Sequence, residues 1–335
     1  LAATALAPVA AAWGALAGRR MARGGTRLPV PVICVGNFVA GGAGKTPTAL
    51  ALAQLAKGLG HRPVFLTRGY GGRLEGPLTV DPARHRAADV GDEPLLLAEV
   101  APVILARRRD EAGALIEASG ASLVVMDDGF QNPAVEKNLS LVVVDGARGL
   151  GNGQVMPAGP LRAPLDVQLA RADAVLVIGE GTAGDEAALR AEAAGKPVLR
   201  AALVLREGAW QGPPLLAFAG IGDPEKFFAS LRGAGADLAA TRAFADHHVF
   251  GEAEARDLLS VAEARGWTLV TTAKDHVRLG GDTSGAGAVA GAGDGAVGGT
   301  GGALAALHAA ALVADVDLVF ADDGAFLRER LAAMR

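Results

Sequence analysis

The sequence predicts an α/β fold: a mainly parallel, doubly wound sheet, a second and smaller α/β domain, and an apolar helix ahead of both. Three observations carry that expectation. A strand–loop–helix passage over 32–50 holds Gly41-Gly42-Ala43-Gly44-Lys45-Thr46 between its strand and its helix, which makes the sheet P-loop NTPase-like. Short β-branched runs alternate with Ala/Leu-rich stretches along most of the chain, the pattern of parallel strands joined by crossover helices. A turn-rich break, Glu207-Gly208-Ala209-Trp210-Gln211-Gly212-Pro213-Pro214, interrupts that alternation before it restarts. The expected organisation is an N-terminal helix with a basic flank over 1–28, a nucleotide-binding domain over 29–206, and a second domain over 213–335 that carries a flexible Gly/Ala insertion at 280–303.

Composition narrows the function classes. A chain of 335 residues, half of them hydrophobic, can bury two cores. Its net charge of −4 offers no basic face for nucleic acid, and nothing calls for an obligate protein partner. Cys34, the one cysteine, falls inside the first strand. That excludes a disulfide framework and a thiolate metal cluster, and suits a small buried hydrophobe in a reducing, cytosol-facing protein.

Residues 1–18 carry no charge, and Arg19, Arg20, Arg23 and Arg27 follow. The stretch is slightly short of the roughly 20 residues a spanning helix needs. It also lacks the positive charges that precede the apolar region of a secretory signal. The expectation is a helix lying in or dipping into a membrane, with the arginines meeting anionic headgroups on its cytoplasmic side. The alternative is an amphipathic helix packed on the domain.

The strand over 32–35 ends at Gly36, and a helix begins near Thr46-Pro47-Thr48. Glycines let the intervening backbone curl until several N–H groups converge, and the helix N-terminus adds its positive end. Lys45 can reach the terminal phosphates of a nucleoside triphosphate, and the Thr46 hydroxyl can hold magnesium. Val39 stands where the usual pattern has its first glycine. Partition-type ATPases carry an extra lysine just ahead of the glycine pair, where this chain has Ala40; a membrane-recruited ATPase switch is the second reading.

A strand over 63–67 runs into Arg68-Gly69-Tyr70-Gly71-Gly72, on the nucleotide side of such a sheet. Gly91-Asp92-Glu93-Pro94 opens a helix over 95–100, where Asp92 also reads as an ordinary N-cap. After a strand over 102–105, Arg107, Arg108 and Arg109 read as a solvated helix start. The strand over 122–126 ends in Asp127-Asp128-Gly129-Phe130-Gln131, carboxylates placed to orient magnesium or its water shell. After the strand over 141–145, a Gly/Pro-rich loop over 148–162 is long enough to be a lid or a substrate-facing segment. Strands over 174–178 and 198–205 complete the first domain. Beyond the break come a strand over 215–219, Asp246-His247-His248, a helix over 252–265 and a strand over 268–272. The insertion follows, then a last strand over 312–320 and a helix over 325–334.

Taken in order, these segments resemble the tetraacyldisaccharide 4′-kinase family of lipid A synthesis. The segments are Val35-Gly36-Asn37 through Gly44-Lys45-Thr46-Pro47, Thr67-Arg68-Gly69-Tyr70-Gly71, Gly91-Asp92-Glu93-Pro94 and Asp127-Asp128-Gly129-Phe130-Gln131. Asn152-Gly153 to Pro160-Leu161-Arg162, Phe218-Ala219-Gly220-Ile221, Asp246-His247-His248 and Thr271-Thr272 continue the set, which runs to about residue 278. The resemblance implies ATP- and Mg2+-dependent phosphorylation of the 4′-hydroxyl of an acylated glucosamine disaccharide 1-phosphate at the cytoplasmic face of the inner membrane. It puts the catalytic aspartate at Asp92, its histidine partner at His247 and the nucleotide loop on Gly41 to Thr46, with Lys45 on the transferred phosphate. Thr46, Asp127 and Asp128 fall to the metal, and Asn37, Arg68, Tyr70, Glu93, Gln131 and Arg162 to substrate or supporting contacts. The chain departs from the family at Asn132, Ala163 and Ala273, where a histidine and two glutamates are usual.

Overall fold

The computed structural model describes residues 2–280 and 302–334; the insertion expected at 280–303 lies almost wholly outside them. The strands, in chain order, are β1 (Val32–Asn37), β2 (Pro63–Thr67), β3 (Leu78–Thr79), β4 (Val103–Leu105), β5 (Leu123–Asp127), β6 (Leu139–Asp145), β7 (Ala174–Ile178) and β8 (Val198–Leu205). Then follow β9 (Leu215–Ala219), β10 (Leu238–Ala243), β11 (Thr268–Thr271), β12 (Leu312–Val313) and β13 (Val316–Phe320). Nine form one sheet in the order β13-β8-β7-β6-β1-β5-β2-β4-β3, and four form a second, β10-β9-β11-β12. Only β3 and β13, at the two edges of the large sheet, run antiparallel to their neighbours.

The central strand shows why the apolar runs are continuous. Successive side chains of a strand point to opposite faces, and helices cover both faces of a parallel sheet. In β1, Val32 and Cys34 enter one core layer while Ile33 and Val35 enter the other. Burial pushes the Cys34 thiol up to about 11, which leaves it a protonated packing group. The register pairs Val35 with Asp127, so the end of β5 lies beside the start of the phosphate loop.

Two expectations are corrected. The run over 312–320 is two strands: β12 pairs with β11, whereas β13 crosses back and pairs antiparallel with β8. The break falls at Ala314-Asp315, where the Asp315 carbonyl accepts from Arg206 N at 2.9 Å. The closing helix, Ala325–Ala332, buries Leu327 and Leu331 in the core of the large sheet, and His61 Nε2 bonds Leu331 O at 3.0 Å. The end of the chain therefore completes the first domain, not the second. Periodicity reveals a strand but not which sheet edge it joins.

The other correction concerns the anchor. A helix does form over Ala2–Met21. No helix among the described residues is long and apolar enough to cross a membrane, and anchoring through this segment is not sustained. Alanine and glycine contribute little transfer free energy, and Arg19 and Arg20 occupy its last turn. Its inner side packs on the domain through Ala10, Gly14 and Met21. A Cβ on Gly14 would stand 3.3 Å from Pro164, so the small residue lets the helix approach closely.

Candidate active site

The phosphate loop is a backbone construction. Gly41 and Gly44 have φ of +105° and +86°, conformations that L side chains rarely adopt. Gly44 also caps the helix Lys45–Gly58, and a Cβ there would stand 2.7 Å from Ile178 Cδ1. The helix N-terminus faces the cleft with Lys45 and Thr46 in its first turn, and Ala43 is buried against the core. Lys45 Nζ donates to Gly41 O at 3.3 Å and lies 3.9 Å from Asp128 Oδ1.

Several sequence-assigned side chains brace this loop. Asn37 Nδ2 donates to Gly41 O at 3.0 Å, and Gln131 Nε2 donates to Asn37 O at 2.7 Å. Arg162 donates to Val39 O at 3.1 Å, to Gln131 Oε1 at 3.4 Å and to Asp128 Oδ1 at 2.8 Å. The long loop expected as a lid is tied to the phosphate loop instead, through Ala40 N to Pro160 O at 2.8 Å. Asp128 has φ of +48°. Burial opposes its charge, but Lys45 and Arg162 outweigh that and hold the carboxyl below its usual range. Arg109, expected in solvent, is buried and donates to Asp128 O at 3.0 Å.

Asp127 sits deeper, and its Oδ1 is a buried acceptor without a partner. Burial first, then the charges of Glu93 and Asp128, push this carboxyl up to about 7. A buried, unsatisfied carboxylate oxygen beside a phosphate loop suits a hard divalent cation, which prefers oxygen ligands. Thr46, two residues after Gly44 and on the cleft wall, is a hydroxyl-bearing candidate for the same cation.

The other side of the cleft is assembled from distant segments. Asp92 is the first residue of the helix Asp92–Ala98, and Gly91 rather than Asp92 takes the capping position, with φ of +90°. Asp92 is buried; its Oδ1 accepts from Glu93 N at 2.9 Å, and its Oδ2 accepts from Arg278 Nε at 3.0 Å and from Arg278 Nη2. Burial raises this carboxyl, but the charges of Arg278 and Lys274 outweigh that and bring it below its ordinary value. Glu93 accepts from Lys274 Nζ at 2.7 Å. His247 has φ of +57°, and its Nδ1 lies 3.7 Å from Asp92 Oδ2. The Tyr70 ring stands beside it with centroids 5.6 Å apart, and the Arg68 guanidinium lies over Tyr70 at 5.8 Å.

A cleft of about 1410 Å³ opens between these two sides. Gly41, Gly42, Gly44, Lys45, Thr46, Arg68, Tyr70, Glu93, Asp128, Gln131, Arg162 and His247 line it; Asn37, Ala43, Asp92 and Asp127 stand just behind that wall. Glu93 and Lys274 both act electrostatically on Asp127, which ties the Asp92 turn to the phosphate-loop edge. Sequence reasoning missed Arg278 and left Lys274 without a role. Their spacing of four puts them on one face of the helix Ala273–Leu279, the only local signal of a shared task.

A family model described as tetraacyldisaccharide-1-P 4′-kinase matches residues 2–289. The tetraacyldisaccharide 4′-kinase of Bradyrhizobium sp. (strain BTAi1) is 58% identical over 277 residues, covering 82% of this chain and 80% of that protein. The protein of the same name from Nitrobacter winogradskyi is 57% identical over 277 residues, with 82% of each covered. The crystal structure of LpxK from Aquifex aeolicus in complex with ATP superposes with a TM-score of 0.73 at 22% identity, covering 100% of this chain and 99% of that one, and shares the fold.

Proposed function

We propose how the cleft works in a chain that belongs to the tetraacyldisaccharide-1-P 4′-kinase family and is a phosphotransferase with an alcohol acceptor. The reaction is transfer of the γ-phosphoryl of ATP to the 4′-hydroxyl of tetraacyldisaccharide 1-phosphate, a step of lipid A biosynthesis. Family membership sets aside the ATPase-switch reading, in line with Ala40 at the position of the missing lysine.

A sugar hydroxyl hardly ionises near neutral pH, so a placed base must take its proton as the new bond forms. Asp92 is that base. As the proton passes to its carboxylate, the 4′-oxygen bonds to the γ-phosphorus. The bond from that phosphorus to the β–γ bridging oxygen breaks, and its electron pair leaves with ADP. His247 lies next to Asp92 to orient it and relay the proton. The loop N–H groups and Lys45 hold the β- and γ-phosphates and neutralise charge in the transition state, the larger part of catalysis in such transfers. Thr46, Asp127 and Asp128 would hold Mg2+, which supplies further charge neutralisation. Asn37, Gln131 and Arg162 keep the loop and Asp128 in place. Arg68 and Tyr70 face the cleft from β2's end, where they can meet the acceptor.

The observation that carries this assignment is the buried Asp92 carboxylate, opposite the phosphate loop and within reach of a histidine from the other domain. Radiolabelled ATP with acylated disaccharide 1-phosphate as acceptor tests it. Asp92→Ala should nearly abolish transfer while ATP still binds; unchanged turnover would remove the base role.

A further inference from the structure

Arg278 projects from the helix Ala273–Leu279 into the junction between the two domains, its side chain only 9% exposed. A guanidinium has five N–H donors and no acceptor. All five are used here. Nε and one Nη2 donor go to Asp92 Oδ2, and the Nη1 pair goes to Gly220 O at 2.7 Å and Asp275 Oδ1 at 2.9 Å. The remaining Nη2 donor reaches His247 Nδ1 at 3.2 Å.

This arrangement fixes the imidazole. Arginine cannot accept, so His247 must present Nδ1 as a lone pair, and the proton of the neutral ring sits on Nε2. An imidazolium would set two N–H groups against each other. In the Nε2–H tautomer the ring cannot donate to Asp92, although only 3.7 Å separates Nδ1 from Oδ2. Oδ2, for its part, already receives two donors from Arg278, and Oδ1 receives the Glu93 N–H. Arg278 stands between the base and its partner.

The five contacts divide unequally. Gly220, Asp275 and His247 belong to the same domain as Arg278, and only Asp92 belongs to the other. A small displacement of the second domain would carry Arg278 away from Asp92 with its other bonds intact.

We infer that Arg278 is a positioning residue: it keeps Asp92 and His247 from pairing in the resting arrangement, and its withdrawal as the acceptor lipid enters hands Asp92 Oδ2 to the histidine. The inference rests on Asp92 being the base. Withdrawal also changes the charge around that carboxylate. Lys274 and Asp275 face it from the helix of Arg278, His247 from the loop after β10 with Asp246 against that histidine's Nε2, and Glu93 from its own helix. Arg278 is the foremost of the cations that offset the burial of Asp92, so removing it leaves burial unopposed by its strongest partner.

Two measurements on the full-length protein test this. In nucleotide-free wild type, 15N NMR should find His247 with its proton on Nε2, and Arg278→Gln should move proton occupancy to Nδ1. In the kinase assay, the acid limb of kcat/KM should move to higher pH in Arg278→Gln, falling about tenfold per pH unit below the new midpoint, with ATP affinity unchanged. Arg278→Lys keeps the charge and should restore the wild-type acid limb, which covers the case in which the glutamine variant folds poorly. An Nδ1–H ring in wild type, a loss of activity by the same factor at every pH in Arg278→Gln, or an acid limb in Arg278→Lys displaced as far as that of Arg278→Gln, would overturn the inference. Asp92→Ala run in parallel separates the two readings: an active Asp92→Ala enzyme removes the base itself, whereas an inactive one with a parallel Arg278→Gln profile removes only the role of Arg278.

Discussion

The two walls of the cleft are built in opposite ways. The phosphate-loop wall comes from one uninterrupted stretch, β1 to the helix Lys45–Gly58, and its working groups are mostly backbone N–H groups held by left-handed glycines. The Asp92 wall joins four separate segments: the turns at Tyr70 and Asp92, the loop at His247, and the helix that carries Lys274 and Arg278. One wall lies within a single domain, and the other is assembled from both. That difference predicts that nucleotide binding and chemistry respond separately to substitution.

The largest test of that contrast lies at its centre. Asp92→Ala should lower kcat by about 10²–10⁴, the usual worth of a placed acid–base group, and leave the Kd for ATP within a few-fold of wild type. Lys45→Ala should lower kcat by about 10²–10³ and weaken ATP binding as well, as expected of an ammonium proposed to serve both bound and transferring phosphates. Equilibrium binding beside steady-state kinetics separates the two; equal losses of ATP affinity would erase the contrast between the walls.

A smaller effect is expected one layer back. Arg162→Ala frees Asp128 and the loop carbonyl of Val39, and groups that orient ligand carboxylates are typically worth about 10–100-fold in metal affinity. Titration of kinase activity with Mg2+ should show that shift, with little change at saturating metal.

The ion pairs across the cleft divide in the same way. Arg278–Asp92 is buried, whereas Arg148–Asp223, at 2.6 Å, has side chains 53% and 36% exposed. Exposed pairs contribute about 0–1 kcal/mol, so Asp223→Ala should change kcat/KM by no more than about fivefold. A larger loss would show that domain contact depends on the rim.

The smallest effect concerns pH and stability. His276 is held below its ordinary value by burial first and by its stacked neighbour His308, 4.0 Å away. The unfolded chain then binds this proton more readily than the folded one. Stability from the neutral ring is present above the unfolded value of about 6.5 and is lost as pH falls from there through the lower folded-state value. His276→Gln should make Tm less sensitive to acid between pH 7.5 and 5; an unchanged slope would assign the acid sensitivity to other groups.

The phosphate loop was legible because its chemistry is local. Glycine conformation, a helix N-terminus and a lysine at fixed spacing need only consecutive residues, and the carboxylates closing β5 follow from the same sheet edge. Asp92 and His247 were singled out only through the resemblance, because in isolation an aspartate before a proline reads as a helix start and a histidine pair as packing. Arg278 gave no comparable signal: it looks like any cation in the last turn of a short helix. Arg109 misled in the same direction, since nothing local distinguishes a solvated arginine from one that is buried beneath Asp128.

By itself the sequence determined the parallel sheet, the nucleotide loop and the order of the segments, because backbone preference and two-sided burial act between near neighbours. Tertiary structure alone decided that β13 returns to the first sheet, that the N-terminal helix packs through Ala10 and Gly14, and that Arg278 stands between Asp92 and His247. Those outcomes depend on which surfaces meet across long stretches of chain, and hydrogen-bond valence and charge at a contact are defined only once both partners have arrived.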